Sequence, residues 1–363
     1  MTQQDILNAL STVQEPDLGK DLVTLNMIRD VEIEGAYVSF TVVLTTPACP
    51  LKDLIKNDCV KAIKATNSNA VVNVKFTSST TTIRADKSNV LPGVKNIIAV
   101  VSGKGGVGKS TVAANLALAL AQGGASVGLM DADIYGPSIP IMFGVRGERP
   151  MMTSVGDKAM IVPLERYGIK LLSIGLLVDE KNAVIWRGPM ASSAIRQFIT
   201  DVQWGDLDYL VIDMPPGTGD IHLTLVQTAP VTGVVVVTTP QDVALADAKK
   251  GIAMFSQAQM NVPIIGLVEN MSYFVPAELP NNRYYIFGKE GGKRLAEEYD
   301  LPFLGQIPLV QGIREGGDMG VPVMVSDDEV TRQSFLEFAG TVARSISMRN
   351  AHMKGEEVAE VIE

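Results

Sequence analysis

With 363 residues, 46% of them hydrophobic, the chain is long enough to fold as one large domain and one small one. A net charge of −9 excludes broad electrostatic attraction to nucleic acid or anionic lipid. Two cysteines, no apolar run of membrane-spanning length and an N-terminus unlike a secretory signal predict a cytoplasmic protein with reduced thiols, with neither membrane nor nucleic acid as partner.

Residues 2–13 predict an amphipathic helix with Ile6, Leu7 and Leu10 on one face, stopped at Glu15-Pro16-Asp17. Residues 27–34 and 36–45 alternate enough to predict two strands, with Glu34-Gly35 as the turn between them. Pro47-Ala48-Cys49-Pro50 leads into a helix over about 51–65, and residues 71–76 predict a third strand. Residues 1–85 therefore form a small α/β domain. Cys49 sits between small residues at the start of the helix, where a helix N-terminus lowers a thiol's pKa and favours thiolate; the alternative is a small packing residue. Cys59, in mid-helix, reads as packing. Residues 86–95, within the polar stretch RADKSNVLPGVKN, form a linker.

Apolar strands then recur at 97–102, 126–130, 169–174, 208–212, 233–238, 263–268 and 303–306, with helical stretches between most of them. This alternation predicts a mostly parallel sheet covered on both faces, an α/β fold spanning residues 96–350. Residues 327–347 predict a closing helix, with Phe335, Phe338, Val342 and Ile346 at helical spacing. The acidic tail, residues 351–363, is expected to be loosely ordered.

The first strand of this domain runs into IIAVVSGKGGVGKST, in which Gly103, Gly108, Lys109 and Ser110 satisfy G-x-x-x-x-G-K-[ST]. Backbone N–H groups must turn inward around phosphate oxygens, and side chains there would block the approach. Gly103, Gly105, Gly106 and Gly108 leave that space, and the following helix adds partial positive charge at its N-terminus. The nucleotide-binding segment is thus Gly103, Lys104, Gly105, Gly106, Val107, Gly108, Lys109, Ser110 and Thr111. Lys109 reaches the β- and γ-phosphates, and Ser110 holds Mg²⁺. A dinucleotide fingerprint fits the same letters, with Asp131 and Asp133 as its acids. Against it stand Lys109-Ser110 and a second strand-end acid, Asp213, where a P-loop enzyme keeps its Mg²⁺ aspartate.

The acids fall at strand ends, where open α/β sheets bind ligands. Asp213 is a metal candidate, and Pro215 to Gly219 make a turn able to sense the γ-phosphate. Asp133 is the candidate for positioning the attacking water, with Asp131 mainly structural. Lys104 is suited to neutralise charge on the transferred phosphoryl group; the bland reading is a solvated loop lysine. Asn270 and Pro308 are placed to contact the base. Trp186-Arg187-Gly188-Pro189 serves a subunit interface or simply packs. His222 reads as a surface or capping residue.

GKGGVGKST, with a lysine at both ends of the loop, resembles the deviant P-loop of MinD/ParA ATPases. LPGVKNIIAVVSGKGGVGKST, DADIYGPSIP, WRGPM, DYLVIDMPPGTGD and VENMSYF together resemble the Mrp/ApbC family of iron–sulfur cluster carrier ATPases, over about 95–345. EPDLGKDLVTLNMI and TTPACP resemble the PaaD/SufT-like domain often fused ahead of such ATPases. The resemblance implies an ATP-hydrolysing homodimer with ATP at its interface, Lys104 reaching the partner's nucleotide, and Asp133 and Asp213 at water and Mg²⁺. It also implies iron–sulfur apoproteins or assembly scaffolds as partners. One departure stands out. Where the family carries Cys-x-x-Cys for a bridging cluster, this chain reads SYFVPAELPNNRYYIFG, and no cysteine follows Cys59. Thiolates are the usual cluster ligands, so the remaining candidate for iron–sulfur ligation is Cys49. The alternative function is MinD/ParA-like positioning without a cluster, against which the acidic tail argues. A metabolic P-loop kinase would need an acceptor site for which there is no motif.

Overall fold

The protein is described by a computed structural model covering residues 1–82, 90–156, 158–178, 186–276, 278–279 and 281–360, with side chains as far as Met353. The chain divides into two compact units, Met1–Ile83 with Ala343–Glu363, and Arg84–Val342.

The small unit opens with α1 (Gln3–Leu10), fixed by a reciprocal cap in which Thr2 Oγ1 accepts from the Asp5 N–H and Asp5 accepts from the Thr2 N–H. The short strands β1 (Gln14–Glu15) and β2 (Lys20–Asp21) pair antiparallel. Then come β3 (Ile28–Glu34), β4 (Tyr37–Leu44), α2 (Lys52–Thr66) and β5 (Val71–Ser78). β3 runs antiparallel and β5 parallel to the central β4. Ile6 and Leu10 of α1 and Ile55, Cys59 and Ile63 of α2 share one core with Phe40 and Val42. Cys59 is therefore a packing residue.

The large unit runs β6 (Val94–Val101), α3 (Lys109–Gln122), β7 (Val127–Asp131), α4 (Ile139–Met142), β8 (Met151–Val155), β9 (Lys158–Val162), β10 (Leu164–Arg166) and β11 (Ile169–Ser173). It continues with α5 (Gly188–Thr200), β12 (Leu207–Asp213), α6 (Asp220–Thr228), β13 (Gly233–Thr238), α7 (Asp242–Phe255), β14 (Ile264–Glu269), α8 (Gly291–Glu298), β15 (Phe303–Gln306) and α9 (Gln311–Met319). α10 (Glu329–Glu360) closes the chain. The main sheet has the order β10-β11-β7-β12-β6-β13-β14-β15 and is parallel except for its edge pair β10–β11. Its central strands are buried on both faces, as their near-continuous Val and Ile runs require. α3 is buried almost all round, which its Ala- and Leu-rich sequence permits. Because β7 is separated from β6 by β12, the C-terminal ends of β6, β7 and β12 meet at a reversal of strand order, the usual ligand crevice.

Three features differ from the sequence-based expectation. β6 starts at Val94, so the end of the expected linker belongs to the sheet, while residues 83–89 lie outside the described residues. The antiparallel hairpin β8–β9 was not expected. β8 has no buried residue, so no periodicity announced it. The tail expected to be loose continues α10 through Glu360, since AHMKGEEVAE is rich in helix formers and Gly355 alone opposes them. Residues from Ala343 onward group with the small unit rather than with the large one. There Arg344 pairs with Asp17, and Asn350 Nδ2 donates to the Thr81 carbonyl at 2.8 Å.

Candidate nucleotide site

The loop between β6 and α3 is shaped by its glycines. A side chain at Gly103 would overlap the Asp247 carbonyl of α7, and one at Gly108 (φ +81°) the amide of Asn270. Gly106 (φ +86°) has nothing within 4 Å of a built Cβ, and Gly105 has only Pro216 Cγ at 4.0 Å. The first two glycines permit close packing, and the next two keep the cradle clear of side chains. Val107 is buried behind the loop, and Ser110 and Thr111 open α3. The cradle floors a cavity of about 510 Å³, ample for a nucleotide.

Lys109 is only 6% exposed. Its Nζ donates to Asp213 Oδ1 at 2.5 Å and to Ser110 Oγ at 3.3 Å, and lies 3.6 Å from Asp133 Oδ2. The β6–β12–β7 order brings these groups together. Burial raises the Asp213 carboxyl above the usual carboxylate range, and the Lys109 ammonium works against that rise. Asp213 Oδ2 is buried without a hydrogen-bond partner. An orphaned carboxylate oxygen beside the Ser110 region is the donor set a Mg²⁺ ion uses, so these residues fit the metal. Asp131 faces inward. It accepts from Ser173 Oγ at 2.8 Å and the Asp133 N–H at 3.1 Å, and so braces the loop that presents Asp133. Burial, with the neighbouring Asp213 charge, pushes its pKa up. Ser173 is a site residue that sequence reading missed. It ends β11, and only the pairing of β11 with β7 brings it to Asp131.

Lys104 lines the cavity and is half-buried, with no ion pair among the described residues. Asn270 and Pro308 also line it, beside Met271, Leu309, Ile313 and Arg314, a wall not foreseen from the sequence. Asn270 Nδ2 donates to the Val107 carbonyl at 2.8 Å, so the amide ties the end of β14 to the P-loop. The turn after β12 is tied as well: the Gly217 N–H donates to the Ser102 carbonyl at 2.9 Å. Trp186 packs against the main core, and Arg187 precedes α5 as its N-cap.

Cys49 differs from expectation. It lies in a turn before α2, half-buried, and its thiol pKa is pushed up by burial, with a hydrogen bond from the Leu51 backbone opposing the rise and the Glu15 and Asp17 carboxylates adding to it. The helix N-terminus does not win. Glu15 is itself 5% exposed and its carboxyl is raised by burial, although Oε2 accepts from the N–H groups of Asp17 and Leu18. No group of three or more His, Cys, Asp or Glu among the described residues is placed to hold a metal ion. In the segment that lacks Cys-x-x-Cys, Phe274 forms a β-bridge with Tyr284, and Arg283 stacks over Tyr273 at 4.3 Å.

Residues 93–343 match the family described as ParA, the NUBPL iron-transfer P-loop NTPases, and residues 3–76 match the iron–sulfur cluster assembly protein family. The chain is 51% identical over 351 residues to an iron–sulfur cluster carrier protein of Synechocystis sp., covering 96% of this chain and 99% of that one. It is 48% identical over 345 residues to one of Deinococcus radiodurans, covering 95% of each. Among solved structures, a nucleotide-binding protein from Archaeoglobus fulgidus in complex with ADP superposes with TM-score 0.57 at 39% identity, covering 68% of this chain and 93% of that one. The cell division ATPase MinD of Pyrococcus furiosus, with TM-score 0.50 at 22% identity over 68% of this chain and 98% of that one, shares the fold.

Proposed function

We propose, for a chain that belongs to the NUBPL iron-transfer P-loop NTPase family, a cycle in which ATP binding and hydrolysis drive the handling of iron–sulfur clusters. The observation that supports the ATPase step most directly is Lys109 Nζ held between Asp213 and Asp133 beside the glycine cradle. ATP phosphates would enter over Gly105 and Gly106 and draw Lys109 away from the acids. Ser110 and Asp213 would hold Mg²⁺, which offsets phosphate charge. Asp133 would orient the attacking water, and the Pro215–Gly219 turn would respond to the γ-phosphate. Asn270 and Pro308 would bound the base. Lys104, from a second copy of the chain, would supply positive charge as the bond breaks. The working unit is then a homodimer in the cytoplasm.

The cluster is cargo. Relatives of nearly the same length are named iron–sulfur cluster carriers, which supports that role here. A cluster needs about four thiolate-type ligands. One chain offers Cys49 alone as a reachable thiol, since Cys59 is buried in its core. Ligands from a second copy, a scaffold or an apoprotein would complete the set. Anaerobic reconstitution with iron and sulfide, in wild type and Cys49→Ser side by side, tests this. Iron–sulfur absorption in wild type alone supports ligation by Cys49. Equal absorption in both removes Cys49 from the ligand set, and none in either leaves an ATP-driven switch acting on a partner that holds the cluster.

A further inference from the structure

β14 ends in Glu269, which is 0% exposed and stands one residue before Asn270. Its carboxylate meets donors from three places: the turn after β14, the first turn of α8 and the last residue of β15. The Gly292 N–H donates to Oε2 at 2.6 Å, Gln306 Nε2 donates to Oε1 at 3.0 Å, and Ser272 Oγ lies 2.8 Å from Oε1. A buried carboxylate is costly unless its lone pairs are met, and these donors meet them. A Cβ at Gly292 would lie 3.0 Å from Glu269 Cβ, so the lack of a side chain there permits the approach. The Glu269 backbone joins the same strands. Its carbonyl accepts from the Ile307 N–H at 2.9 Å, and the Ser272 N–H donates to the Ile307 carbonyl at 3.0 Å. Glu269 does not line the nucleotide cavity itself, but Asn270 and Met271, which follow it, and Pro308, which follows Ile307, all do. Met271 takes φ +54°, a conformation unusual for a residue with a side chain, so the bonds on either side of it have to hold it there. Asn270 Nδ2 is committed to the Val107 carbonyl. Its Oδ1 has no hydrogen-bond partner among the described residues and remains as an acceptor at the cavity. An acceptor there suits the exocyclic amine of adenine and opposes the carbonyl of guanine.

We infer that Glu269 is a positioning residue for the nucleotide base, the common anchor that sets Asn270 and Met271 relative to Pro308 in the cavity wall. It acts through the residues beside it: its carboxylate ties β15 and α8 to the turn that presents the Asn270 amide. This rests on the ATP-binding reading of the cavity.

The test measures steady-state ATPase and calorimetric binding of ATP and GTP for wild type, Glu269→Gln, and Glu269→Gln combined with Gln306→Glu. In the single variant the amide oxygen can still accept from the Gly292 N–H, but the amide nitrogen faces the Gln306 donor. In the combined variant that nitrogen donates to the carboxylate at position 306, and the pairing is restored with donor and acceptor exchanged. Glu269→Gln should raise the KM and Kd for ATP about ten-fold with kcat within about three-fold, and should narrow the preference for ATP over GTP. The combined variant should recover most of both effects. Ser272→Ala removes one donor and leaves the carboxylate, and should weaken ATP binding in the same direction by about three-fold, so a Glu269→Gln chain that failed to fold would not shield the inference. A merely structural role would lower the melting temperature and weaken ATP and GTP alike, which overturns the inference. So would wild-type ATP affinity in Glu269→Gln, or a combined variant no better than the single one. A wild type that bound neither nucleotide would overturn the nucleotide reading of the cavity, and this inference with it.

Discussion

The two units treat ionisable groups in opposite ways. In the large unit, Lys109, Asp133 and Asp213 are crowded at strand ends where one cation offsets two acids, so charge is kept in a place built to exchange it for phosphate. In the small unit, burial pushes Cys49 and Glu15 toward their neutral forms, and the Arg344 charge, paired with Asp17, opposes that only in part. A strand-end crevice is prepared before its ligand arrives. At Cys49 the thiol is held toward its protonated form, chiefly by burial.

Three changes would break or sharpen that contrast. The largest effect belongs to Lys109→Ala, which removes the only charge partner found for Asp213 among the described residues. ATP affinity should fall by about 10²-fold or more, the scale of a lost buried charge pair. Calorimetry that found wild-type affinity would refute the site. Asp133→Ala should be more selective: turnover falls about 10²-fold while ATP affinity stays within about three-fold, read from kcat against a binding isotherm. Unchanged turnover would remove Asp133 from water positioning. The smallest effect concerns Cys49. Because burial and the acids raise its pKa, its alkylation rate should still be climbing above pH 9, the ordinary thiol value. Glu15→Gln removes one anion and should move that climb to lower pH, by a few-fold in rate at fixed pH. A profile already level at pH 8 would mean that the thiolate is favoured after all.

Much of the nucleotide site was legible because it is written locally. A glycine loop between a strand and a helix encodes its own phosphate cradle, and Asp213 could be placed because a strand leads straight into it. What escaped depends on distant partners. Ser173 meets Asp131 only through sheet order, and Asn270 supports the P-loop carbonyl of Val107 because β14 ends beside it. The surroundings of Cys49 escaped for the same reason. The local rule for a helix N-terminus was sound, but burial of the thiol outweighs it, and Glu15 of β1 and Asp17 just after it add to the rise. The hairpin β8–β9 left no trace because exposed strands need no alternation.

The grouping of residues 343–363 with residues 1–83 has a consequence for how the protein is made. Its first-synthesised segment leaves the ribosome before all of its partners exist. Arg344 and Asn350, the partners of Asp17 and Thr81, are translated only after the whole P-loop domain, a delay of roughly 10–50 s at ordinary elongation rates. The unit bearing Cys49 is thus finished last. A nascent chain interrupted anywhere within residues 84–342 would lack the partners of Asp17 and Thr81.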